Sequence, residues 1–225
     1  MSNVGFRIYT KINRPDPALI SKFREIPVAN LADNMGRISC VAPEIKPYND
    51  TILLGCAFTV RAPLGDNLMF HKAIDMAKPG DIIVVDGQGG IERSLCGEIM
   101  FSHAMSRGIG GFLVDGSIRD TDALKKLPFP VFARGVTPNG PYKNGPGEIN
   151  VPVSIGGQVV FPGDIILGDS DGVVVIRAED AEDMLEKGLA HNRSEQVMFR
   201  QIKEGTFDRS WVDQALMEKG CEIID

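Results

Sequence analysis

The sequence predicts an α/β domain of three layers, β/β/α, and three observations lead to it. Apolar runs at Gly55–Arg61, Asp81–Val85 and Gly111–Val114 alternate with helical stretches, the pattern of parallel strands joined by helical crossovers. From Pro128 the runs shorten and tight turns join them, as expected of antiparallel strands. A long amphipathic stretch, Glu179–Glu204, then closes the main body.

Taken in order, residues 1–16 are polar and read as an arm. Pro17–Ile26 is expected to be a short helix, because Leu19, Ile20, Phe23 and Ile26 share a face. Asn30–Gly36 reads as a second helical turn closed by glycine. Asn67–Ala77 is a helix capped by Asp66 and stopped by Pro79. A further short helix starts near Gly97-Glu98 and runs to Gly108. Phe129–Ala133 and Gly135-Val136 are strand-like, and Pro138–Gly147 is a loop rich in proline and glycine. Four short strands are expected at Ile149–Ile155, Gln158–Phe161, Asp164–Leu167 and Gly172–Ile176. Pro-Gly-Asp-Ile-Ile occurs twice, at 79–83 and 162–166, and matching turn corners are a sufficient reason. Domain organisation is expected to be one α/β domain over 1–205, with 206–225 a helical extension carrying a helix near Ser210–Lys219.

At 225 residues the chain can bury a substantial core, and 43% hydrophobic with 24% charged residues is ordinary for a globular protein. A formal charge of −6 argues against a broad nucleic-acid or anionic-membrane surface. No run approaches the ~20 apolar residues of a membrane span, and Met1–Asn13 has no signal-peptide core. Cys40, Cys56, Cys96 and Cys221 form no Cys-x-x-Cys pair and read as reduced thiols, so a cytoplasmic location is expected.

The chemistry concentrates at Gly97-Glu98-Ile99-Met100 and Gly116-Ser117-Ile118-Arg119-Asp120. The first offers backbone N–H groups at a helix start, which suit an anion. The second places charged groups just past a strand, where open α/β sheets bind ligands. Arg119 is either an ordinary ion-pair partner or a two-point clamp for a carboxylate. Asp120 is either the cap of a following helix or a hard oxygen ligand for a divalent cation. Glu98 is either a first-turn acid or part of the site. His71, His103 and His191 lack metal-ligand spacing, and His103 reads as a surface or core residue. Gly87-Gln88-Gly89-Gly90 is not a dinucleotide fingerprint. Every lysine falls in a polar or turn context, which disfavours an imine-forming aldolase.

An acidic residue, twenty residues and then Arg-Asp, here Glu98 and Arg119-Asp120, resembles the pattern of the regulator of ribonuclease activity A family, which includes the 4-hydroxy-4-methyl-2-oxoglutarate aldolases. Asp66-Asn67-Leu68, Pro79–Asp86 and Pro162–Val175 are similar to further family segments, so the likeness spans roughly residues 25–205. Glu98 stands where many relatives carry aspartate. The resemblance implies a swivelling-type β/β/α fold. It also implies a metal-dependent lyase acting on a small oxo acid, with oxaloacetate decarboxylation through the same enolate. On that reading Asp120 holds magnesium or manganese, Arg119 and the Gly97–Met100 backbone bind substrate, and Glu98, Arg119 and Glu195 serve catalysis. Glu195 lies in a polar break of the C-terminal helix; it is either a solvated turn or a residue reaching a neighbouring subunit's site. The resemblance thereby implies a homo-oligomer, a trimer or hexamer. Some relatives are non-enzymatic ribonuclease inhibitors, the rival reading; Asp122 and Glu195 point to the enzyme.

Overall fold

Strands whose apolar residues run continuously rather than alternately are covered on both faces, and the central strands here are of that kind. The computed structural model describes residues 3–224. In chain order they form strand β1 (Phe6–Ile8), helices α1 (Pro17–Ser21) and α2 (Val28–Asn34), and strands β2 (Lys46–Pro47) and β3 (Leu53–Arg61). The alternating section follows: α3 (Leu68–Met76), β4 (Asp81–Asp86), β5 (Ser94–Cys96), α4 (Glu98–Ser106), β6 (Gly111–Ile118), α5 (Thr121–Leu124) and β7 (Val131–Val136). Then come β8 (Gly147–Ile149), β9 (Val153–Ile155), β10 (Gln158–Val160), β11 (Ile165–Asp169), β12 (Gly172–Ile176), and helices α6 (Ala181–Glu204) and α7 (Ser210–Glu218).

Strands β3, β4, β6 and β7 pair in parallel in that order. Strand β3 is long enough to serve two antiparallel partners, β11 along Leu53–Cys56 and β8 at Val60-Arg61. Side chains alternate between the two faces. Ile83, Val85, Phe112 and Val114 pack with Phe70 and Ala73 of α3 and Phe101 and Ala104 of α4. Ile82, Val84, Leu113 and Phe132 pack instead against Val153, Ile155 and Val160 of the separate β9–β10 ribbon. The outcome is the expected β/β/α layering. Phe112, on the face of the sheet that the helices cover, is edge-on to Phe70 at 4.8 Å and to Phe129 at 4.9 Å.

The two Pro-Gly-Asp corners repeat one device. Asp81 Oδ2 accepts from Lys78 N–H and Asp164 Oδ2 from Phe161 N–H, each three residues back and both at 2.8 Å. Glycine supplies the left-handed φ in each, +83° at Gly80 and +100° at Gly163.

Some elements differ from expectation. Strand β6 does not stop at Asp115 but continues to Ile118, which delivers Arg119 directly to the strand end. The polar Asp115 is held inside the sheet because its carboxylate pairs with Arg134 at 2.6 Å and accepts from Gly156 N–H at 2.7 Å. Strand β5 was not anticipated, being three residues long. The arm is not wholly irregular: Phe6–Ile8 pairs in parallel with β8.

By contacts the chain divides into two units, the first ending at Gly188 and the second beginning at Leu189, within α6. The expected boundary at 205 coincides with the end of that helix. In the first unit, the start of α6 packs on α2 so closely that a Cβ on Gly188 would lie 2.9 Å from Leu31 Cδ2. In the second unit, α7 contains no buried residue, and Phe199, Ile202, Trp211 and Met217 are exposed.

Candidate active site

The end of β6 and the start of α4 meet at one point. Arg119 N–H donates to Cys96 O at 3.0 Å, so the chain leaving β6 runs beside the turn that begins α4. Gly97 is the N-cap of α4 with extended backbone, and its lack of a side chain is required by what lies against it. A Cβ there would collide with Asp120 Oδ2 and come within 3.0 Å of Arg119 Cγ. Glycine therefore lets the Arg-Asp pair sit on the helix start.

Asp120 precedes the four-residue α5, yet its side chain makes no cap bond to that helix. Of the two readings of Asp120, the cap of its following helix is therefore not the one formed. Instead its Oδ2 accepts from Glu98 N–H at 3.0 Å, so it caps the neighbouring α4. Its backbone is left-handed, φ +58° and ψ +36°, a conformation aspartate tolerates but that costs free energy and concentrates at functional sites. Arg119 Nε lies 3.6 Å from Asp120 Oδ2, both side chains being partly open to solvent.

These residues face a cavity of about 370 Å³, within the range of small-molecule sites. Gly97, Ile99, Met100, Arg119 and Asp120 line it together with Asn67, His71, Gly140, Pro141 and Lys143. Of the first-turn N–H groups of α4, that of Glu98 is taken by Asp120 and that of Met100 by Gly97 O. The Ile99 N–H has no partner among the described residues, so it is the donor left for a ligand. The Glu98 side chain is exposed and does not line the cavity. Asp122 is 93% exposed and paired with Lys125 Nζ at 3.1 Å, away from the lining. Glu195 pairs with His191 at 3.6 Å within the second unit.

Asn67, His71 and Lys143 carry no site signal along the sequence, because the histidines lack metal-ligand spacing; Asn67 and His71 stand one helical turn apart at the start of α3 and so share a face. The Asn67 amide donates to Leu95 O at 2.8 Å and to Met100 Sδ at 3.6 Å, which leaves its Oδ1 buried without a donor. Burial, followed by the Lys143 ammonium, lowers the His71 pKa from its ordinary 6.5; Asp75 opposes this and His103 adds to it. Cys96 also lines the cavity; burial raises its thiol well above the ordinary range, with Asp120 adding to the effect, which disfavours the thiolate form.

No cluster of three or more His, Cys, Asp or Glu side chains able to hold a metal exists among the described residues. Asp120 is the one carboxylate in the lining. That donor set fits a hard cation such as magnesium, which binds through one or two carboxylates and completes its shell with water and substrate oxygens.

A sequence model of the RraA-like family, described as Aldolase/RraA, matches residues 28–175. The chain belongs to the RraA-like family. It is 41% identical over 186 residues to a Halalkalibacterium halodurans protein named "Putative 4-hydroxy-4-methyl-2-oxoglutarate aldolase", covering 82% of this chain and 89% of that one. An uncharacterised protein from Pseudomonas syringae pv. tomato superposes with a TM-score of 0.77 at 25% identity, covering 86% of this chain and 96% of the other. The RNA-processing inhibitor RraA from Thermus thermophilis superposes with a TM-score of 0.63 at 29% identity, covering 68% and 93%. The RraA-like assignment agrees with the β/β/α layering.

Among the described residues, no helix is long and apolar enough to cross a membrane.

Proposed function

We propose that this RraA-like protein is a carbon–carbon lyase that cleaves 4-hydroxy-2-oxo acids to pyruvate and decarboxylates oxaloacetate through the same enolate. The observation that carries the reading is Arg119 beside Asp120 on the start of α4, all facing one cavity. The Arg119 guanidinium offers a planar two-point grip on the substrate carboxylate and 2-oxo oxygen. The Ile99 N–H adds a fixed dipole where negative charge develops. Asp120 would hold a divalent cation, magnesium or manganese, which when bound supplies Lewis-acid polarisation of the 2-oxo group. A solvent water takes the 4-hydroxyl proton, C4 becomes the carbonyl of the second product as the C3–C4 bond breaks, and the electron pair of that bond forms the pyruvate enolate, which is then protonated at C3. Oxaloacetate loses carbon dioxide to give the same enolate.

The exposed apolar face of the second unit supports a homo-oligomer, a trimer or hexamer, in which Glu195 completes a neighbouring site. Light scattering is expected to show such an assembly; a monomer at micromolar concentration removes that role from Glu195. Cytoplasmic location remains part of this reading, resting on four unpaired thiols.

The direct test is pyruvate release from oxaloacetate and from 4-hydroxy-4-methyl-2-oxoglutarate, silenced by EDTA and restored by magnesium or manganese. Borohydride should trap no adduct. A second reading, a non-enzymatic binder of a ribonuclease, is favoured by the inhibitor name of the Thermus relative. It takes the lead if the magnesium-loaded protein releases no pyruvate from either acid.

A further inference from the structure

Part of the cavity lining comes from two elements distant in sequence: the start of α3, which carries Asn67 and His71, and loop 138–147, which carries Lys143. One buried side chain joins them. Asp66 is 4% exposed, and its Oδ1 accepts from Leu68 N–H at 2.9 Å, capping the first turn of α3. Its Oδ2 accepts from Asn144 N–H at 2.6 Å and Gly145 N–H at 3.0 Å, the two residues directly after Lys143. Backbone bonds run alongside, from Asn67 N–H to Tyr142 O at 3.0 Å and from Tyr142 N–H to Gly65 O at 2.8 Å. The near end of the loop is held separately by Arg93, which donates to Gly140 O at 2.8 Å and to Tyr142 Oη at 2.9 Å and lies over the Tyr142 ring.

We propose that Asp66 is a positioning residue for the candidate site: its carboxylate ties the start of α3 to loop 138–147 and thereby sets the Lys143 ammonium beside His71. Three N–H donors converge on two oxygens, and both oxygens are needed as acceptors. Bonds to a charged acceptor are the stronger kind, and a donor left facing another donor is costly. Asparagine at this position can accept on one side only; its NH2 meets N–H donors on the other. Serine can still cap α3 but is too short to serve the loop as well. Either substitution releases the Asn144-Gly145 side of the loop, and with it the adjoining Lys143, while replacing no residue that lines the cavity.

His71 is the reporter. The groups acting on it are Lys143, Asp75 and His103, and Lys143 is the charge that lies across the joint. The experiment is an NMR titration of the His71 ring in the full chain, for wild type and for Asp66→Asn, Asp66→Ser, Lys143→Gln and Asp66→Asn/Lys143→Gln. Wild-type His71 is expected to titrate below 6.5. Both Asp66 variants and Lys143→Gln should shift it upward, because each takes the ammonium away. The double variant should match Lys143→Gln alone, since Asp66 acts through Lys143. A His71 midpoint unmoved in Asp66→Asn or Asp66→Ser, or a double-variant shift equal to the sum of the singles, overturns the proposal. If Asp66→Asn does not fold, Asp66→Ser, which keeps the helix cap, decides.

A kinetic arm rests on the proposed lyase function. There Asp66→Asn should raise KM for oxaloacetate by on the order of tenfold, with kcat changed much less. A fall in kcat with KM unmoved contradicts positioning of the substrate. If the wild-type protein releases no pyruvate, the lyase reading fails while the titration still decides the role of Asp66.

Discussion

Asp120 is asked to do two things, and they can be separated by substitution. Its carboxylate caps α4 through Glu98 N–H, and its backbone is left-handed. Asp120→Asn keeps an amide oxygen for the Glu98 N–H, and asparagine tolerates the left-handed region as well as aspartate does. Its stability cost should therefore be small, within about 0.5 kcal/mol. Asp120→Ala loses the cap, worth about 0.5–2 kcal/mol. It also holds alanine in the left-handed region, which costs roughly 1–2 kcal/mol more. Together these give about 1.5–4 kcal/mol, or a Tm lower by roughly 3–16 °C for a chain of this size. Activity should follow another order, because both variants lose the charge that would hold the cation and both should be silent in a magnesium-dependent pyruvate assay. Differential scanning fluorimetry and that assay, run on the same preparations, check both halves. Near-normal turnover by Asp120→Asn refutes the cation assignment. An Asp120→Ala protein as stable as wild type refutes the account of the local backbone.

Arg119→Lys keeps the charge but loses the planar fork, and should lower turnover by on the order of 100-fold or more in the same assay; normal turnover removes the clamp. Gly97→Ala puts a methyl against Asp120 Oδ2 and should displace that side chain, at a cost of about 1–3 kcal/mol and with loss of activity; a fully active Gly97→Ala protein means the Arg-Asp pair need not touch the helix start. The lowered pKa of His71 sets a pH dependence of stability. Because the unfolded chain binds that proton more readily, stability should be complete above 6.5 and fall as pH drops below it, levelling once folded His71 is protonated too. His71→Gln should flatten that part of a Tm-against-pH curve, and an unchanged slope assigns the effect to other groups.

Much of the fold is local chemistry and was legible in the sequence. Continuous apolar runs such as Ile82–Val85 declare strands covered on both faces, and Pro-Gly-Asp declares the corners that start β4 and precede β11. The long C-terminal helix was legible from its period. Strand β5 and the paired arm strand were not, because three-residue strands carry too little pattern and owe their state to a neighbour. Strand β6 was read too short because Asp115 looks like a terminator until Arg134, nineteen residues on, neutralises it inside the sheet.

The site divides in the same way. Arg119, Asp120 and the glycine-marked helix start could be found along the chain, because a strand end and a helix N-terminus are sequence features with a fixed chemistry. Which helix Asp120 caps could not, since the choice is made across 22 residues by the approach of two backbone turns that Gly97 alone permits. The part of the lining made by Asn67, His71 and Lys143 was likewise decided only in three dimensions. Sequence determined which residues carry charge and which segments bury apolar surface, because those are properties of short windows. Tertiary structure decided which charges face one another, because the bonds that join α3 to loop 138–147 run between residues more than seventy positions apart and have no period to read.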